Sequence, residues 1–140
     1  MIPPMKQNKA MTIAGWIVTA LMGVMFIGLS ARGKLTGDPQ AVEMMRDKFL
    51  FPDGVLFPLG VVEVACAVLY LIPQTSILGA VLLTGYLGGA TATHVRAGDA
   101  FGHVATPVVI GMLVWLGIWL RCARLRGLLP LRLPPHTQTP

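Results

Sequence analysis

The feature that most constrains this chain is a carboxylate inside an apolar run. From Gly60 to Asp99 two long apolar segments fold back on each other at Pro73-Gln74-Thr75-Ser76, and Glu63 lies within the first of them. A charged group in the middle of a membrane span costs about 2.5 to 3.5 kcal/mol on insertion scales, so it demands a partner or a function. Composition makes the membrane the expected solvent. Of 140 residues 54% are hydrophobic and only 12% charged, against about 25% charged in a typical soluble domain. Mean hydropathy is +0.69. The net charge of +5 collects at the ends of the apolar runs, which suits anionic lipid headgroups. Nothing in it points to a nucleic-acid surface.

The order of the chain gives an all-α membrane protein: a bundle of four transmembrane helices with a short interfacial amphipathic helix between the first and second. Residues 1–10 are a polar lead. Met11 to Leu29 is long enough to span the bilayer and too long for the apolar core of a signal peptide, with Arg32 and Lys34 closing it. In residues 35–54, Asp38-Pro39 is a helix start. Val42, Met45 and Phe49 follow on one stripe, the pattern of a helix lying in the interface or of a lid over a site. The second span, Val55 to Ile72, places Gly60, Glu63, Ala67 and Tyr70 on one face. In lipid that face points inward, because Glu63 and the Tyr70 hydroxyl need partners.

The third span runs from Ile77 to Val95. Gly85, Gly89 and Thr93 repeat every four residues, the spacing at which small residues let membrane helices approach closely, and Arg96 continues the face. The fourth opens at Thr106-Pro107 and reaches Leu120, with Trp115 and Trp119 as interfacial anchors. Residues 11–120 then form the transmembrane domain and 121–140 a basic, proline-rich tail, disordered from Leu129 onward. Cys66 and Cys122 fall far apart in this layout and are expected not to pair. Four spans place both termini on one side, and the excess of Lys and Arg there leans towards a cytoplasmic location.

The same topology gathers Lys34, His94, Arg96 and His103 at the opposite side, near a buried Glu63. Arg96 or Lys34 could extend to it. Two readings follow: a charge pair that locks helices together, or a pocket for an anionic or quinone-like ligand with His94 as a proton relay. His94, His103 and Glu63 make a poor metal set, and no nucleophile stands beside a base.

At these residues the chain resembles a known family. The GKLTG that ends the first helix, the second-helix sequence LGVVEVACAVLYLIP and the third-helix sequence LGAVLLTGYLGGATATHVRAGD are similar to the DoxX-like family of small bacterial membrane proteins. The strongest pieces are Gly60-x-x-Glu63 and the run from Gly89 to Arg96. The resemblance covers roughly residues 11–120. It implies a four-helix bundle of the bacterial inner membrane, with Lys34, Glu63, His94 and Arg96 at the family's recurring polar positions. It also implies a loose tie to redox or oxidative-stress systems, in which a partner protein or a bound quinone carries the electrons. The chain has no Fe–S, flavin or haem signature, so the expectation is an accessory or quinone-proximal subunit without an intrinsic cofactor. The rival expectations are a small oligomeric proton-coupled transporter, with Glu63 on the path, and a structural or chaperone-like membrane partner.

Overall fold

The structure, a computed structural model, describes residues 8–126. The lead up to Gln7 and the chain from Gly127, which includes the stretch read as disordered, lie outside the described residues.

Apolar composition and a capped start make the first helix long. Asn8 accepts the Ala10 amide at 3.0 Å through its side chain, and helix α1 runs unbroken over Lys9–Thr36. It does not end at Leu29, and Arg32 and Lys34 do not close it. Its Val24–Ser30 stretch is π-helical, and the last turns stop at Gly37, whose φ of 66° is left-handed and natural for glycine. The Asp38 carboxylate caps α2 by accepting the Gln40 and Ala41 amides, with Pro39 in the first turn. This short helix comprises Pro39–Glu43 and a π turn, Met44–Lys48.

Helix α3 is Leu56–Leu71, with Pro58 harmless in its first turn, where no amide is needed. Helix α4 is Ser76–Arg96 and α5 is Phe101–Arg121, followed by the turn α6, Ala123–Arg126. Helix α5 starts before the Thr106-Pro107 signal. Thr106 turns its hydroxyl back to the Gly102 carbonyl at 2.7 Å instead of capping, and Pro107 sits inside the helix.

The described residues are all-helical, and three helices are long and apolar enough to cross a membrane: α1, α4 and α5. Helix α3, at 16 residues, is apolar but shorter. The N-terminal half of α1 packs on α5 and its C-terminal part on α3, while α3 packs on α4 and α4 on α5, closing a ring. Inside the ring Phe26, Ala67, Tyr70, Ala80, Leu83, Val114 and Ile118 are buried. The outer surface stays apolar, with Leu21, Val24, Leu29, Val61, Val81 and Met112 exposed, as expected where the surrounding solvent is hydrocarbon.

Close approach between helices falls elsewhere than at Gly85 and Gly89. Both face away from the bundle, where an added Cβ would meet no atom within 4 Å. Thr93 uses its hydroxyl on the Gly89 carbonyl of its own helix. Contact is made at Gly79, where a Cβ would run into the Tyr70 backbone, and at Gly15, where it would lie 2.8 Å from Arg121 N and Gly117 O. The four-residue period on α4 is real, but the contact face is the one carrying Gly79, Ala80 and Leu83. Period alone cannot say which side of a helix meets a neighbour.

Candidate functional site

Helix α3 turns Gly60, Glu63, Ala67 and Tyr70 inward together, and all four are buried. Each polar member finds a partner. The Tyr70 hydroxyl donates to the Val114 carbonyl at 3.0 Å and lies 3.4 Å from Thr19 Oγ1. Arg121, 8% exposed, donates to the Tyr70 carbonyl at 3.1 Å and rests 4.3 Å above the Trp16 ring. This group fastens the far ends of α1, α3 and α5.

Glu63, 1% exposed, holds the second polar group. Lys34 Nζ lies 2.6 Å from Glu63 Oε2, and the Tyr86 hydroxyl donates to the same oxygen at 3.2 Å. Lys34 also donates to Ser30 Oγ at 2.7 Å, one turn back on α1, and stands 5.7 Å from the Tyr86 ring centroid. Continuation of α1 past Leu29 is what delivers this lysine. Gly60 admits it, since a Cβ there would lie 3.0 Å from Lys34 Cβ. Residues of α1, α3 and α4 thus meet at one carboxylate, and a paired, hydrogen-bonded charge is the form in which a buried acid is tolerated.

Of the four polar residues expected together, the structure joins Lys34 to Glu63 and sends His94 and Arg96 elsewhere. His94 Nδ1 lies 2.6 Å from Asp99 Oδ2, and Lys48 Nζ lies 2.8 Å from Asp99 Oδ1. The carboxyl of Asp99 is held below the usual carboxylate range, chiefly by the hydrogen bond from Lys48 and then by that with His94. Arg96 Nη2 donates to the Phe49 carbonyl, with the guanidinium 5.6 Å from the Phe51 ring. The buried Phe49 ring meets His94 edge-on at 5.2 Å, and His103 stacks on His94 at 6.1 Å. These contacts tie the end of α2 to the α4–α5 turn. The reason for the split is reach: Arg96 lies at the very end of α4, whereas Tyr86, ten residues earlier, is level with Glu63.

Tyr86 and Ser30 complete the network without having been singled out from the sequence. Tyr86 carried the same signal as Tyr70, a hydroxyl inside an apolar helix in need of an acceptor. Ser30 carried none, since a serine in a helix can satisfy itself on its own backbone.

Helix α2 roofs a cavity of about 270 Å³ whose wall includes Lys34, Arg46 and Asp53 among the apolar side chains of Val42, Met45, Leu56 and Phe57. A wider apolar groove of about 430 Å³ runs between α4 and α5 past Thr84, Gly88, Gly111 and Trp115. Trp115 donates there to Thr84 at 2.9 Å, so its indole is used within the helix pair. Among the described residues no group of three or more His, Cys, Asp or Glu could hold a metal ion. Both cysteines are free thiols.

The sequence profile of the DoxX-like family matches residues 17–117. The chain belongs to that family, and with its long apolar helices it is a multi-pass membrane protein. A comparison with curated proteins finds no match, and one with solved structures finds none either.

Proposed function

We propose that the protein sits in the bacterial inner membrane as an accessory or quinone-proximal subunit of a redox or oxidative-stress system, without independent catalysis. The observation that carries this reading is the Glu63 carboxylate, 1% exposed, met by Lys34 and Tyr86 from two other helices. A linked carboxylate, ammonium and phenol can hold and pass protons in a dry interior, the service a quinone needs when it is reduced or oxidised. A partner protein or a bound quinone carries the electrons.

In this reading α3 is the fourth crossing. Its 16 residues rise about 24 Å, short of the roughly 30 Å hydrocarbon core. Local thinning and the flanking residues absorb a mismatch of that size. Helix α2 lies in the interface, the termini are cytoplasmic, residues 11–120 form the membrane domain, and 121–140 are a basic tail.

Replacing Glu63 by Gln keeps the size and removes the charge. The variant is expected to insert at wild-type levels while tolerance to quinone stress falls. Unchanged tolerance at equal membrane abundance would rule the reading out. A second reading, a structural clasp, is favoured by the tightness of the Lys34–Glu63 pair, and it predicts that function survives removal of both charges together.

A further inference from the structure

The cavity under α2 shares Lys34 with the Glu63 network, and the chemistry of its wall selects a ligand. We propose that it binds the head of a neutral, carbonyl-bearing amphiphile drawn from the membrane, with Lys34 as the donor. This rests on the reading of the Lys34–Glu63 network as the functional centre, and it names the site and the ligand class.

An ammonium carries three N–H groups. Among the described residues Lys34 gives one to Ser30 and one to Glu63. With its side chain 18% exposed and part of the cavity wall, it keeps one for an acceptor on a ligand.

The positive charge of Lys34 is matched by Glu63 at 2.6 Å and that of Arg46 by Asp47 at 2.9 Å. The wall also carries Asp53. No cation is in surplus, so an anionic head would give up its hydration and meet a carboxylate. A ketone or quinone oxygen accepts the third N–H without that cost. Here the wall chemistry decides between the two ligand types that the sequence leaves open, and it decides against the anion.

A volume of about 270 Å³ walled by Val42, Met45, Phe51, Leu56 and Phe57 holds a substituted ring and excludes a folded chain. It falls just below the usual range of about 300 to 1,000 Å³ for small-molecule pockets. Phe57 borders the cavity and is itself 59% exposed. An alkyl tail leaving past it stays on apolar surface.

The test uses the full chain purified in mild detergent, with equilibrium dialysis of two probes, a benzoquinone bearing a short alkyl chain and decanoate. Val42→Trp fills the cavity from α2, and Met45→Trp reads the same wall should the first variant fail to fold. Leu29→Trp, on an outward position that is 73% exposed, is the control. The expected result is saturable benzoquinone binding at least about tenfold tighter than that of decanoate. Either cavity variant weakens it by about tenfold or more, and the control does not. Tighter decanoate binding would overturn the ligand class, and undiminished binding in a folded cavity variant would overturn the site. Absence of saturable binding by either probe would overturn the inference as a whole. The proposed function would survive that last result if Glu63→Gln still lowers quinone tolerance.

Discussion

At the scale of single residues, the Lys34–Glu63 pair separates clasp from functional centre. Lys34→Met strands a carboxylate that is 1% exposed, and loss of one partner from a buried pair costs about 3 to 5 kcal/mol. Glu63→Leu strands a less buried ammonium and costs less. The double replacement leaves no lone charge and is expected to unfold at a higher temperature in detergent than Lys34→Met. Full retention of function in that stable double variant would identify the pair as a clasp alone. Gly79 and Gly85 make a second contrast. A methyl at Gly79 meets the Tyr70 backbone, whereas one at Gly85 meets nothing within 4 Å. Gly79→Ala is therefore expected to destabilise by about 1 to 3 kcal/mol and Gly85→Ala to be close to neutral, as read by thermal melts. The sequence makes Glu63 conspicuous because an acid in an apolar run demands a partner or a function. It does not choose between Lys34 and Arg96, since both gather at the same membrane side, and the depth and rotation of each helix decide. That rotation depends on α1 continuing through a π stretch, for which Val24–Ser30 offers no local signal.

At the scale of elements, α2 is anchored more by its end than by its length. None of its residues from Pro39 to Lys48 is buried, and Val42 and Met45 face the cavity. The firm ties are Lys48 to Asp99, Arg96 to the Phe49 carbonyl, and the Phe49 ring against His94. Left-handed residues stand on either side, Gly37 before and Leu50 after, with φ of 66° and 57°. The amphipathic stripe is legible from Val42, Met45 and Phe49, but their target is not, because lipid and a cavity roof ask for the same pattern. The latch also has a pH signature. Because the folded state holds the Asp99 carboxyl below its ordinary range, its stabilising effect is fully present above the unfolded value, near 3.9. It is lost as the pH falls through the lower folded value. Amide exchange over residues 39–50 is expected to stay slow from neutral pH down to about 3.9, to quicken as the pH falls below that, and to level off beneath the lower folded value, after correction for intrinsic rates. Asp99→Asn should quicken it at neutral pH and cease to differ from wild type once the wild-type carboxyl is protonated. Loosening of wild type that sets in near pH 6 would refute the assignment of the latch to Asp99.

At the scale of the whole molecule, the ring of α1, α3, α4 and α5 encloses two polar knots in an otherwise apolar interior. The knot of Tyr70, Thr19 and Arg121 fastens one end, and that of Glu63, Lys34 and Tyr86 lies towards the end roofed by α2. An apolar exterior and an all-helical interior are legible from composition and run length, since lipid leaves few other solutions for the backbone. Which helices touch is also largely legible, because the short turns at Pro73 and Gly98 force neighbours to pack. The Glu63 knot is proposed to serve a quinone or a redox partner. Native mass spectrometry of the protein released from its own membranes in mild detergent tests it most directly. A bound quinone or a co-released oxidoreductase subunit is expected with the wild-type chain, and its depletion with Glu63→Gln at equal yield. A bare homo-oligomer carrying neither, identical in wild type and variant, would contradict it.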